Sequence, residues 1–273
     1  MKDTEILNLD ACPVHETEHP EYRALVERCR ADIRTSLCCS VPDLVSPAAI
    51  ARMSREARQL QDQAFHNNAL RNCYLHQGTD PNLPDDHPRN LQDRSSVRMI
   101  AYDQIAPDSP LKTFYHSPLV KRLVADIIEA PELYDNEDPY QPANYVCYRD
   151  GDESSWHFDA DNSFTMTLMV QGADAGGEFQ MSPNTRTDTE ENYEHVGAVL
   201  RGERDDTILS IGRQPGELCI FRGCNSLHRV TPVSGDALRI MGVFVYESQP
   251  GVVGDPRVNA TIYGQRVELT EED

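Results

Sequence analysis

The feature that most constrains this chain is a histidine and an aspartate two positions apart, in Trp156-His157-Phe158-Asp159, just ahead of a run rich in β-branched and aromatic residues. That run is Ser163-Phe164-Thr165-Met166-Thr167-Leu168-Met169-Val170, and its composition is that of a sheet strand. Side chains alternate along a strand, so His157 and Asp159 are predicted to share one face while Phe158 turns into apolar packing. With a later histidine, His228 in Ser226-Leu227-His228-Arg229-Val230, they make a set of two imidazoles and one carboxylate that can grip one metal ion. Three such ligands leave the far side of the ion open, and open positions are where substrates react.

A His-x-Asp pair is common and usually solvated or hydrogen-bonded. The order of segments around it raises its weight. Gly176-Gly177-Glu178-Phe179 follows the first strands, then Pro215-Gly216-Glu217-Leu218-Cys219-Ile220-Phe221, then His228, and then Arg239 in a run ending Val243-Phe244-Val245-Tyr246. This ordered set resembles the Fe(II)/2-oxoglutarate-dependent oxygenase family, and within it the branch of free-amino-acid (lysine-type) hydroxylases and radical halogenases. The likeness covers the second half of the chain and extends more faintly back to Ser95.

The resemblance implies an α+β fold: a double-stranded β-helix, or jelly roll, with N-terminal supporting helices. It implies His157, Asp159 and His228 as metal ligands and catalytic residues, Fe(II) as the ion, and 2-oxoglutarate and O2 as co-substrates. Oxidative decarboxylation of the keto acid to succinate would then drive hydroxylation of an unactivated C–H bond. Arg239 lies eleven positions after His228, where the family places the arginine that clamps the far carboxylate of the co-substrate. Its planar fork matches both oxygens, and its apolar neighbours favour a buried clamp over a surface cation. Thr165 and Thr231 are candidate hydroxyl contacts to 2-oxoglutarate, with Thr167 and Ser226 also open. In radical halogenases of this branch a small residue replaces the carboxylate and chloride fills its place, so Asp159 points to hydroxylation.

The substrate expected from the resemblance is a free amino acid or a small polar relative. Such a zwitterion needs a cation for its carboxylate and an acid or carbonyl for its ammonium. Arg98, Arg222 and Trp156 are the candidate substrate contacts, with Arg94, Asp150, Asp152 and Glu153 nearby in sequence, although each of these is more often a surface or packing residue. Arg229 is expected to point off the metal side.

Along the chain, Pro20 to Leu37 carries apolar residues at helical spacing, Ser46-Pro47 opens a second helix running into Met53, and Ser117-Pro118 opens a third through Ile128. Val97–Tyr102 and Asn144–Tyr148 read as strands, the latter turning at Arg149-Asp150-Gly151-Asp152 into the metal-bearing strand. Tyr145 and Tyr148 are three apart and so face opposite ways. Between Gln77 and Arg94, glycine, proline, aspartate and asparagine break any regular element, which suggests a lid or binding loop. Its flanking His76 and His87, like His195, read as surface residues. The charged stretch 186–213 reads as an extended excursion between strands rather than core. Residues 252–263 read as turns, with Thr261-Ile262-Tyr263-Gly264 packing back on the body.

Length supports one oxygenase domain over 1–273, with helical support and a loop over 1–94, a jelly-roll core over 95–250 and an extension over 251–273. A formal net charge of -20 disfavours nucleic acid, because a field of that sign repels phosphate. Acidity on this scale is a solubility property of the surface and does not by itself identify a cationic substrate. No apolar run is long enough for a membrane span and no basic, apolar leader opens the chain, so a cytoplasmic protein with a small-molecule partner is expected. A homodimer is among the assembly states left open. The eight cysteines lack zinc-ribbon spacing and read as reduced thiols, Cys147 and Cys219 as small core residues. Two alternatives accompany the oxygenase reading: a 2-oxoglutarate-independent cupin-type oxygenase, and a non-catalytic metal-dependent jelly-roll ligand-binding protein. Hydroxylation of a protein side chain or a carrier-bound amino acid is a third.

Overall fold

A computed structural model describes residues 2–159 and 164–269. After the single turn α1 (Asp3–Ile6), the helices α2 (Pro20–Ser36), α3 (Pro47–Leu60), α4 (Pro110–His116) and α5 (Pro118–Ile128) all begin with proline in the first turn. The residues before them, His19, Ser46, Ser109 and Ser117, accept a backbone N–H with their side chains. Proline lacks an N–H that would go unpaired at that position, and the cap satisfies one that would otherwise be orphaned. The expected starts at Ser46-Pro47 and Ser117-Pro118 are therefore where the helices begin. The former continues past Met53 to Leu60, because Ala49, Ile50, Met53 and Ala57 keep one buried face going.

A seven-stranded antiparallel sheet has the order β1-β11-β7-β14-β5-β3-β2. Its strands are β1 (Cys38–Val41), β2 (Phe65–Arg71), β3 (Asp93–Ile100), β5 (Ala143–Tyr148), β7 (Thr165–Gln171), β11 (Leu218–Phe221) and β14 (Arg239–Phe244). Facing it is a four-stranded sheet, β10-β9-β12-β6, made of β10 (Leu209–Ile211), β9 (Phe179–Ser182), β12 (Leu227–Val230) and β6 (Ser154–His157). Short ribbons add β4 (Tyr134–Asp135) with β15 (Tyr246–Glu247), and β8 (Ala175–Gly176) with β13 (Val233–Ser234). Two facing antiparallel sheets with helices stacked outside one of them form the jelly roll that the resemblance implied.

Strand alternation sorts the side chains into layers. On the outer face of the large sheet, Tyr145, Cys147, Leu168, Ile220, Ile240 and Phe244 join residues of α2 to α5 in the main core. On its inner face, Val146, Tyr148, Met169 and Met241 meet Val230 of the small sheet, while Cys38, Cys219 and Phe221 meet Phe179 and Met181. Tyr145 and Tyr148 thus face opposite ways, as their spacing predicts. All eight cysteines are free and buried.

Beside the unread β1 and α4, the structure departs from the sequence reading in three larger ways. The stretch 186–213 is not an extended excursion: it contains α6 (Tyr193–Leu200), whose Val196 and Val199 pack on Trp156, Phe158 and Leu227 over the outer face of the small sheet, and it contributes β10 to that sheet. Residues 256–263 are not turns but α7 (Pro256–Tyr263), capped by Asp255; its Tyr263 is buried and stacks on Tyr140. Strand β2 has no counterpart in the reading, because His66, Asn67, Asn68 and Arg71 give it the composition of a loop. Of the strand expected at Ser163–Val170, Ser163 lies outside the described residues, as does the acidic end at 270–273. Among the described residues, no helix is long and apolar enough to cross a membrane.

Candidate metal centre

His157 is the last residue of β6 and His228 lies on β12, directly opposite it in the ladder. Alternation turns both imidazoles into the space between the sheets, with ring centroids 4.2 Å apart. Each Nδ1 meets the carbonyl two residues back, His157 with Ser155 at 2.8 Å and His228 with Ser226 at 3.0 Å. A carbonyl only accepts, so Nδ1 carries the proton and Nε2 of each ring offers a lone pair to the centre. The outer partner thereby fixes both tautomer and ring orientation.

Asp159 reaches the same point by a different route. The strand ends at His157, so alternation does not place the aspartate. Its backbone N–H donates to the Gly223 carbonyl at 3.2 Å, in the turn after β11. Its Oδ1 then lies 3.7 Å from His157 Nε2 and 3.4 Å from His228 Nε2. The other oxygen, Oδ2, accepts from the Thr165 hydroxyl. One ligand atom from each of His157, Asp159 and His228 lies within 4.8 Å of the others, the only such group of metal-binding side chains among the described residues. Phe158, between two of them, points away into the α6 cluster as expected, and its N–H donates to the Cys73 carbonyl at 2.8 Å.

The electrostatics follow from this crowding. Burial and the neighbouring His228 hold the His157 pKa down at about 4. Burial pulls His228 the same way, but the Asp159 carboxylate beside it more than offsets that, and its pKa is raised. Burial disfavours the charged form of Asp159, yet the two imidazoles and the Thr165 hydroxyl outweigh it and hold the carboxyl below the usual range. The apo centre is thus an anion poised between two imidazoles.

Arg239 opens β14 and is 1 % exposed. Its Nε donates to the Gly177 carbonyl at 2.9 Å and its guanidinium carbon lies 5.0 Å from the Tyr148 ring centroid. Its Nη1 is buried without a hydrogen-bond partner, and no described carboxylate pairs with it. Gly177 has φ +65°, and a Cβ there would lie 2.8 Å from Arg239 Cδ, so the bare backbone makes room for the side chain. A buried cation with a free donor edge calls for an anion.

The other expected contacts are arranged differently. Thr165 spends its hydroxyl proton on Asp159. The Thr231 hydroxyl accepts from Glu178 N–H at 2.9 Å, beside a backbone bond between the same residues. Arg98 points to the outer face of β3, away from Val97 and Met99, and pairs with Asp152 at 3.1 Å. Trp156 also points outward, buried under α6 with Arg229 4.6 Å from its ring centroid. Both were expected to contact substrate, and strand alternation turns both away from the triad. Arg222 adjoins Gly223 but engages Asp188 with two bonds, at 3.0 and 2.9 Å. Arg229 leaves the metal side, as expected, and bonds Gln180.

One residue of interest carries no sequence signal. Arg71 ends β2 on the inner face, in register with Asp93, and its positive charge lowers the His157 pKa. Its Nε is buried without a partner, while Nη2 donates to Asn67 Oδ1 at 3.2 Å and to the Thr261 carbonyl at 3.5 Å. Because β2 reads as loop in the sequence, nothing there aims Arg71 at the centre.

The sequence matches the HalD family, described as Halogenase D, over residues 22–254. The chain belongs to the Halogenase D family. No curated protein matches the sequence. Solved structures share the fold of this Halogenase D family chain at low identity. They include a 2OG-Fe(II) oxygenase-family oxidoreductase from Burkholderia pseudomallei, with TM-score 0.51 and 14 % identity over 83 % of this chain and 92 % of that one. The α-ketoglutarate-dependent epimerase SnoN from nogalamycin biosynthesis has TM-score 0.55 and 15 % identity over 86 % and 91 %. A prolyl hydroxylase from Trichoplax adhaerens has TM-score 0.55 and 13 % identity over 87 % and 96 %. The fold implied by the resemblance is thus that of 2OG-Fe(II) oxygenases.

Proposed function

We propose that this chain is an Fe(II)- and 2-oxoglutarate-dependent oxygenase that hydroxylates an unactivated C–H bond of a small substrate bearing a carboxylate, a free amino acid or close relative. The observation that carries this reading is the convergence of His157 Nε2, His228 Nε2 and Asp159 Oδ1 in the same interior as the buried, partnerless edge of Arg239. The donor set fits Fe(II), since two imidazoles and a carboxylate suit an ion that changes oxidation state and leave positions open. His157, His228 and Asp159 would hold the ion, and Arg239 would take the distal carboxylate of 2-oxoglutarate. When bound, the ion and keto acid supply the oxidising power for C–H cleavage. The protein's part is to fix the ligands, pair the buried charge and keep water out.

Arg71 supports a carboxylate on the substrate. It is a second cation with a free buried donor, close enough to the triad for its charge to bear on His157. The 2-oxoglutarate-independent alternative leaves the free edge of Arg239 without a purpose, and so does the non-catalytic one. The family takes its description from halogenases, but Asp159 fills the place that the resemblance reserves for chloride, so hydroxylation is the reaction. Oxygen uptake and succinate release with Fe(II), ascorbate and 2-oxoglutarate across an amino-acid panel test this reading. A hydroxylated product and no chlorinated one, with chloride present, are the expected outcome; turnover that ignores 2-oxoglutarate would sink it.

A further inference from the structure

The two oxygens of Asp159 are not equivalent. Oδ1 looks toward both Nε2 atoms, whereas Oδ2 accepts from Thr165 and abuts Gly223. Thr165 opens β7, is 9 % exposed, and lies opposite Phe221 in the ladder with β11. The turn after Phe221 brings Gly223, whose carbonyl receives the Asp159 N–H. A Cβ at Gly223 would lie 2.0 Å from Oδ2, so the carboxylate occupies space that exists only because residue 223 has no side chain. Gly223 has no left-handed backbone requirement, which leaves this close approach as the reason for a glycine there.

We propose that Thr165 is a positioning residue for the metal centre: with the bare Cα of Gly223 it reserves Oδ2, so that Asp159 presents only Oδ1 to the ion. The inference rests on the metal site of the preceding subsection. A hydroxyl has one proton, and Thr165 donates it to the carboxylate, not to a co-substrate. A carboxylate free to swivel can chelate through both oxygens and take up one of the positions that the reaction needs, or turn its lone pairs away from the ion. Pinning one oxygen prevents both. The role belongs to the partners that orient ligands, whose loss typically weakens metal binding about 10- to 100-fold.

Co(II) titration of the metal-free protein, followed by calorimetry and visible absorption, tests this without turnover. The wild type is expected to bind one Co(II). Thr165→Val is expected to bind it about 10-fold or more weakly, with a changed visible spectrum, while Thr165→Ser restores both. Gly223→Ala, which the backbone tolerates, is expected to weaken binding as well. In an Asp159→Ala background, Thr165→Val should have no further effect on affinity, because the group it orients is gone. Thermal unfolding of each metal-free variant separates this from misfolding, and Gly223→Ala, with wild-type Co(II) affinity as the overturning result, retains the test should the valine variant not fold. Unchanged Co(II) affinity in Thr165→Val, with or without weaker 2-oxoglutarate binding, overturns the proposal, as does an equal loss in the Asp159→Ala background. A wild type that binds no Co(II) overturns the metal-site reading itself and this inference with it.

Discussion

Arg239 donates its Nε–H to the Gly177 carbonyl at 2.9 Å and leaves Nη1 without a partner in a buried setting. The bond to Gly177 fixes the plane of the guanidinium, and that plane sets the direction in which the free Nη1 points. Arg239→Gln keeps a polar group there but removes the charge and the fork. Charge-assisted hydrogen bonds contribute about 1.5–3 kcal/mol, so 2-oxoglutarate should bind roughly 10- to 100-fold more weakly. Calorimetry on Co(II)-loaded protein measures this, with Co(II) affinity itself expected to hold. Wild-type affinity for the keto acid in this variant would remove Arg239 from the site.

The metal centre should release protons as it fills, to an extent that depends on pH. His157 is held neutral above about 4, whereas His228 keeps its proton to above the ordinary 6.5 because of Asp159. A ligating imidazole must be neutral. Metal binding at pH 6.5 is therefore expected to release protons from the His228 population that still carries one, with the release falling toward none as the pH rises past the raised pKa of His228. Calorimetry in buffers of different ionisation enthalpy counts those protons, and a count independent of pH would contradict the pairing.

The metal-free protein should respond to pH through the same groups. His157, depressed when folded, contributes stability above 6.5 that is lost as the pH falls toward about 4, because the unfolded chain takes up a proton the folded one refuses. The raised His228 contributes below 6.5, and that contribution is lost as the pH rises through its folded pKa. Asp159, depressed, contributes above its ordinary 3.8 and loses this on further acidification. Replacing His157 by asparagine should flatten the stability profile between pH 6.5 and 4, measured by urea unfolding. An unchanged profile would mean that His157 is not held neutral.

Phe158 is 2 % exposed, packs with Trp156, Val196 and Val199, and has its ring centroid 4.2 Å from the Arg186 guanidinium carbon. Phe158→Ala should cost about 3–5 kcal/mol in urea unfolding. It should also weaken Co(II) binding, since the two flanking ligands would lose the anchor between them. A cost below about 1 kcal/mol would show that the cluster collapses around the gap.

The sequence was most legible where a local rule governs. Proline after a capping side chain located helix starts at Ser46-Pro47 and Ser117-Pro118, and alternation assigned Tyr145 and Tyr148 to their faces. It was least legible where distant segments decide. Strand β2 is polar because Asn67 and Arg71 on its inner face bond the Thr261 carbonyl of α7 instead of packing in the core, so a rule that seeks apolar alternation passes over it and over Arg71. Helix α6 has its apolar residues satisfied by Trp156 and Leu227, far away in sequence, and its charged flanks disguise it. The same distance misplaced Trp156 and Arg98: their faces follow from register, which one sequence does not display.

Trp156, the only tryptophan, therefore reports on the α6 covering and not on the centre. Its emission should be blue-shifted and insensitive to substrate, and Trp156→Phe should retain turnover while lowering stability by about 1 kcal/mol. A substrate-dependent emission change would return it to the binding site.

The two imidazoles face each other across a single rung of one hydrogen-bonded ladder, while the carboxylate comes from beyond the strand end, steadied by a hydroxyl and a turn. Exchanging the acid for a smaller side chain leaves every rung intact. Such a scaffold separates the ligand that is easiest to exchange from the sheets that carry its histidines.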